Sequence, residues 1–318
     1  RNPKKEKPME PEIIIIGSYV QDLTWNTPNF PSAGETVIGT FLTGPGGKGS
    51  NQAIAAGRAG ARILYAGAVG PDAFASVAKK FYDDEGFPCR LIEKPGYSSG
   101  TAAILVDEEG QNQIIVALGA NGVLHREDVP TDLITKAKIL VCQLEANLNA
   151  TDYFMQTAHQ AGVTTILNPA PMRPDFDPEI LKNVDILVPN ETEFASIVER
   201  LNLGDPNKDP LDYDEEELDS LRLQLGLKTL IITLGERGSI VCENSVFETV
   251  PILKNITAID TTGAGDAFVG GFAAGLLCHE ANTVKAAIFG NAVAGLSVTK
   301  PGTAPSMPKL EDIKAVIN

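Results

Sequence analysis

Residues 260 to 268 read "DTTGAGDAF", two glycines and an alanine set between Asp260 and Asp266, just ahead of the apolar run "FVGGFAAGLL". A helix that begins near Gly265 leaves the amides of Gly263, Ala264 and Gly265 as unsatisfied N-terminal donors. With so little side chain in the way, an anion can approach them closely. Asp266, in the first helical turn, is then either a partner of the helix dipole or a carboxylate able to accept a proton from an attacking hydroxyl.

A second glycine cluster, "GPGGKGSNQAIAAG" at 44 to 57, also leads into a helix. It fails the phosphate-binding P-loop pattern, because Leu42 stands where the first glycine belongs and Gly49 follows the lysine in place of Ser or Thr. Gly47, Lys48 and Asn51 are candidates for holding a polyhydroxyl ligand close to the backbone; a plain tight turn before a helix is the alternative.

These groups need elements to position them. Apolar runs of strand length recur as "EIIIIG", "ARILYAGAVG", "AKILVCQL", "VTTILNP", "DILVPN" and "KTLIITLG". Most are separated by helical patterns such as "SNQAIAAGRAGA", "DAFASVAKKFYDDEG" and "TDYFMQTAHQAG". Unbroken apolar strands alternating with helices predict a mostly parallel central sheet covered on both faces, a three-layer α/β/α sandwich. Ligands bind outside the carboxyl ends of such strands. At those ends stand Glu145, Asn168, Asn190 with Glu193, and a turn through Thr233, Gly235 and Gly238. Each alone reads more readily as a helix cap or strand-end turn, but four at one edge weaken that reading and point to a ligand.

Two stretches break the rhythm. Residues 18–43 and 97–118 alternate and are bounded by turns, with "DEEGQN" as a hairpin turn, and they predict a small antiparallel β lid beside the core. The polar stretch "GDPNKDPLDYDEEELD" at 204–219 reads as a solvated loop leading into a helix.

Composition limits the function classes. A chain of 318 residues with 43% hydrophobic content buries a full core. Its net charge of −15 argues against a nucleic-acid footprint or an anionic membrane surface. An anionic ligand must be held by amides, a few placed cations and a metal. Cys89, Cys142, Cys242 and Cys278 lack metal-ligand spacing and read as reduced residues of a cytoplasmic protein. Residues 1–11 read as a disordered tail ahead of a single domain at 12–318, and no apolar run approaches the length of a membrane span.

Taken in order, "GSYVQD", "AGETV", "GGKGSNQA", "QLEA", "NPAP", "PNETE", "TLGERG", "DTTGAGDAF" and "PGTAPSMP" resemble the ribokinase (PfkB-like) family of carbohydrate kinases over almost the whole chain. "GGKGSNQA" and "DTTGAGDAF" together are specific; "NPAP" or "TLGERG" alone is weak.

The resemblance implies ATP-dependent phosphorylation of D-ribose at O5, with Asp266 as base and Gly263, Ala264 and Gly265 as anion hole. It implies sugar contacts from Asp22, Gly47, Lys48, Asn51, Glu145 and Asp266. Nucleotide contacts would come from Asn190, Thr233, Leu234, Gly235, Glu236, Arg237, Gly238, Gly265 and Asn291. Glu193 would order Mg2+ through water, and K+ would be held by Asp260, Thr262, Ser297, Lys300, Gly302 and Ser306, largely through carbonyls.

Ile38, Phe41, Ile104 and Val106 are candidates for a hydrophobic face of the lid, which either a homodimer paired through the lids, as the resemblance also suggests, or a lid folded over its own active site would bury. One departure stands out: Val20 replaces the asparagine that bacterial relatives commonly carry two residues before the lid aspartate. A kinase of another sugar or of adenosine, and a non-catalytic sugar sensor, remain open alternatives.

Overall fold

The computed structural model describes residues 10–244 and 246–317, so most of the expected N-terminal tail lies outside the described residues. In chain order the elements begin with β1 (Ile13–Ile16), β2 (Val20–Asn26), β3 (Thr40–Gly46), α1 (Lys48–Arg58), β4 (Ile63–Val69), α2 (Ala73–Glu85), β5 (Cys89–Glu93), β6 (Gly100–Val106) and β7 (Asn112–Ala117). They continue with α3 (Thr131–Thr135), β8 (Ile139–Gln143), α4 (Leu148–Gln160), β9 (Thr164–Asn168), β10 (Ile186–Leu187), α5 (Glu191–Arg200), α6 (Glu215–Gln224) and β11 (Thr229–Thr233). The last are β12 (Ser239–Glu243), β13 (Val246–Val250), α7 (Ala264–Cys278), α8 (Thr283–Ser297) and α9 (Leu310–Ile317).

The four isoleucines of β1 show why the core is layered. Successive side chains of a strand point to opposite faces. Ile13 and Ile15 join one apolar cluster with residues of α1, α2, α7, α8 and α9, while Ile14 and Ile16 join another with α3 to α6. The strand is therefore buried on both sides, as its unbroken apolar run predicts.

The main sheet has nine strands in the order β13-β12-β11-β10-β9-β8-β1-β4-β5. It is parallel from β5 to β11. The antiparallel pair β12 and β13 extends its edge, and neither that pair nor β5 was expected from the apolar runs. The chain builds outward from β1 to β4 and β5, then returns to β8 on the other side of β1. This reversal opens a crevice at the carboxyl ends of β1 and β8.

The lid forms as a separate four-stranded sheet, β3-β2-β6-β7. Strands β2 with β3, and β6 with β7, pair antiparallel, and the two pairs join through a parallel contact between β2 and β6. Its register corrects half of the expected exposed face. Ile104 is buried, and with Val106 it packs against Val20 and Ala102 on the face that carries Asp22, whereas Ile38 and Phe41 are exposed. The period of two that puts Phe41 beside Trp25 on the outside turns Ile104 and Val106 inward.

The 204–219 stretch is more than solvated loop before α6, because Tyr213 is buried against Phe194 and Asp209 pairs with Arg237. All four cysteines are free; Cys142 and Cys242 are buried, and Cys278 is exposed at the end of α7. Among the described residues no helix is long and apolar enough to cross a membrane.

Candidate active site

At the crevice between β1 and β8, Ser18 donates its hydroxyl to Glu145 Oε2 at 2.5 Å, and the Lys48 amide donates to the same oxygen at 3.0 Å. The first turn of α1 is thus fixed to the strand end, and Glu145 keeps its other oxygen for a ligand. Asp22 approaches from the lid strand, with its Oδ2 accepting from the Thr303 hydroxyl at 2.9 Å. Burial, and to a lesser degree the charges of Glu145, Asp266 and Asp260, push the Asp22 carboxyl up to about 6, against the opposing effect of the Thr303 hydrogen bond.

Helix α7 begins at Gly263, whose φ of 79° is in the left-handed region that glycine adopts without strain. No side chain caps this end. The amide of Ala264 donates to Thr261 at 3.2 Å, so of the three amides expected to face an anion this one is engaged in the turn. Those of Gly263 and Gly265 have no acceptor among the described residues, and the space where a side chain of Gly265 would stand is open.

Asp266 follows, buried, with Asn51 donating to Oδ2 at 2.9 Å and Gln52 to Oδ1 at 3.0 Å. Two consecutive residues of α1 reach one carboxylate because α7 passes very close: a side chain at Gly270 would overlap the Gln52 carbonyl and Ala55.

Two cavities meet at the head of α7. The smaller, about 190 Å³, is lined by Lys48, Asn190, Glu193, Gly263 and Asp266 among others. Lys48 was expected only among the sugar contacts, yet it lines this cavity. Burial lowers the Lys48 ammonium, but the charges of Asp266, Glu145 and Glu193 outweigh it and hold the pKa above the ordinary lysine value. Asn190 and Glu193 cap the start of α5 reciprocally, each backbone amide donating to the other side chain, at 2.9 and 2.8 Å. Burial raises the Glu193 carboxyl, with Asp266 adding to the effect.

The larger cavity, about 570 Å³, includes Thr233, Gly235, Glu236, Gly238, Gly265 and Asn291, all expected nucleotide contacts. Its remaining wall is largely apolar, with Leu253, Phe268 and Val298, and such residues carry no mark in the sequence that separates them from core. Thr233, Thr261, Ala264 and Gly265 border both cavities, so a chain of phosphates can run from one to the other.

Two of the expected nucleotide contacts line neither cavity. Leu234 is buried in the core, and Arg237 turns outward to Glu191 and Asp209.

Three of the expected potassium residues, Asp260, Thr262 and Gly302, are tied together. Asp260 accepts from the amides of Thr262 and Gly302, both at 2.9 Å, and its own amide donates to Val298 at 3.2 Å. Ser306 closes a turn on Thr303, and Lys300 one on Ser297. Among the described residues no cluster of three or more His, Cys, Asp or Glu could hold a metal by itself.

The family model of the pfkB carbohydrate kinases matches residues 10–310. A deoxyribokinase of Salmonella typhimurium is 34% identical over 314 residues, covering 96% of this chain and 99% of that protein. The ribokinase of Mus musculus is 33% identical over 312 residues, covering 95% and 93%. A solved ribokinase from Giardia lamblia superposes with a TM-score of 0.86 at 34% identity, covering 96% and 98%. The Arabidopsis thaliana ribokinase complexed with ribose and ATP gives 0.83 at 27% identity, covering 97% and 99%.

Proposed function

This chain belongs to the pfkB family of carbohydrate kinases, and from that premise we propose that it transfers the γ-phosphoryl group of ATP to the O5 hydroxyl of D-ribose, giving D-ribose 5-phosphate. The place of Asp266 carries this reading. Its carboxylate stands in the smaller cavity beside the open amides of α7, where that cavity meets the apolar one.

The transfer runs in line. Asp266 accepts the O5 proton as that oxygen forms its bond to the γ-phosphorus, and the bond from the γ-phosphorus to the β,γ-bridging oxygen breaks, with ADP leaving with that electron pair. The amides of Gly263 and Gly265 and the Lys48 ammonium face the negative charge on the transferring group. Asp22, the free oxygen of Glu145 and Asn51 Oδ1, an acceptor with no partner among the described residues, take sugar hydroxyls. The lid closes over them and excludes water.

Glu193 suits Mg2+ held mainly by phosphates and water, since a buried carboxylate beside Asp266 gains from a cation; when bound, Mg2+ neutralises phosphate charge. The loop tied together by Asp260 and Gly302 suits K+ held by main-chain oxygens next to the α7 turn. The exposed Trp25, Ile38 and Phe41 support pairing of lids in a homodimer, and the four free cysteines accord with a cytoplasmic protein.

A second reading, 2-deoxy-D-ribose as acceptor, is favoured by Val20, which lies on the Asp22 face of the lid and presents only carbon there. A coupled ADP-release assay with D-ribose, 2-deoxy-D-ribose, D-xylose, D-fructose and adenosine, with Mg2+ and either K+ or a bulky organic cation, separates the readings. Turnover on ribose that rises with K+ is expected. Turnover confined to another acceptor overturns the ribose assignment, and sugar binding without turnover overturns the kinase.

A further inference from the structure

Behind Asp266 lies a buried row of side-chain amides that touches no cavity for most of its length. Gln52, on α1, donates its Nε2 to Asp266 Oδ1 at 3.0 Å and to Asn168 Oδ1 at 3.1 Å. Its Oε1 accepts from Gln143 Nε2 at 2.6 Å, at the end of β8. Asn168, at the end of β9, donates in turn to the Val188 carbonyl at 2.9 Å. Gln52 is fully buried, and Gln143 is 1% exposed.

Every direction in this row is forced. An ionised carboxylate and a main-chain carbonyl only accept, so Gln52 must present its NH2 to Asp266 and Asn168 must present its own to Val188. Gln52 then has only its carbonyl left for Gln143. No amide in the row can turn over without setting donor against donor or acceptor against acceptor.

From this geometry we infer that Gln52, held by Gln143 and Asn168, is the positioning residue for the base: it fixes the plane of the Asp266 carboxylate at the angle that proton abstraction needs. The inference rests on the kinase reading given above. Asn51 holds Oδ2 while its own Oδ1, without a partner among the described residues, is left for a sugar hydroxyl, whereas Gln52, fully buried and lining neither cavity, has both polar ends engaged by the protein alone. A base that must meet a hydroxyl within a few tenths of an ångström gains most from the partner that does not move. The row also ties Asp266 to the ends of β8 and β9, so the strands that set the sugar site set the base with it.

The test uses Gln52→Met, which keeps length and removes both polar ends, and Gln143→Met, which removes the donor that holds the Gln52 carbonyl. Each is made alone and combined with Asp266→Asn. For each single variant kcat is expected to fall about tenfold or more, with KM for sugar and ATP within about threefold. On the Asp266→Asn background the same changes should alter residual kcat less than about twofold, because a residue that acts through the base has nothing left to position.

Equal fractional losses on both backgrounds, a change in KM alone, or unchanged kcat overturns the inference. Should Gln52→Met fail to fold, Gln143→Met carries the same comparison. A parent enzyme that phosphorylates no sugar, or an Asp266→Asn variant of full activity, defeats the kinase reading; an active parent with inert Gln52 and Gln143 variants defeats only the positioning role.

Discussion

Thr303, near the C-terminus, donates its hydroxyl to Asp22 Oδ2 across 281 residues of sequence, at 2.9 Å. The lid carboxylate and the loop that carries Gly302 and Ser306 are therefore one unit. A hydrogen bond to a charged group contributes about 1.5–3 kcal/mol, roughly ten- to a hundredfold in an equilibrium. Thr303→Val keeps the shape and removes the donor. Sugar KM is expected to rise about tenfold with kcat within about threefold, measured by steady-state kinetics; a fall in kcat alone would show that the contact serves chemistry instead of binding.

Asp22 also makes stability depend on pH in a defined direction. Burial raises its carboxyl from 3.8 to about 6. Between those values the folded protein holds a proton that the unfolded chain has released, so stability falls as pH rises through this window and the loss is complete above about pH 6. A shift of about two units corresponds to about 2–3 kcal/mol. Asp22→Asn, which can still accept from Thr303, should melt several degrees above the parent at pH 7.5, with the gap closing by about pH 4 and sugar affinity reduced. A gap that widens in acid would contradict the burial of the charge.

Much of this was legible in the sequence, for physical reasons. The Ile13–Ile16 run, short and apolar throughout, predicts a strand buried on both faces, and the glycines before Asp266 predict a bare helix start. What stayed hidden depends on distance or on neutrality. Gln52 and Asp266 are 214 residues apart, and nothing local marks a glutamine that holds a base. Leu253 and Phe268 line the larger cavity, yet they are written like core. Arg237 stands among the nucleotide contacts that the resemblance implies, but its guanidinium pairs with Glu191 and Asp209. Ile104 faces inward through strand register, which a pattern of alternation reveals only once the partner strand is known.

Replacing the base should separate turnover from binding. Asp266→Asn is expected to lower kcat by roughly 10² to 10⁴, the usual range for a general base, with a smaller loss of sugar binding in an equilibrium titration. The amide cannot accept from both Asn51 and Gln52 without turning a donor toward one of them. About 1–3 kcal/mol of stability should be lost as well, which a melting curve recorded in parallel keeps apart from the kinetics. Equal losses of binding and turnover would remove Asp266 from the role of base.

Val20 offers the sharpest control over which pentose is accepted. It is buried, two residues before Asp22 on the same lid face, and packed with Ala102 and Ile104. A sugar hydroxyl facing it finds no partner, and a site with no polar group to leave unpaired has little reason to reject the analogue that lacks that hydroxyl. Val20→Asn should raise kcat/KM for D-ribose relative to 2-deoxy-D-ribose by about tenfold or more. The variant should also melt below the parent when empty, since its buried amide lacks partners, and recover more with ribose than with 2-deoxyribose. If both sugars restore it equally and the kinetic ratio is unchanged, the C2 hydroxyl does not meet position 20, and pentose choice is set by Asp22, Asn51 and Glu145 instead.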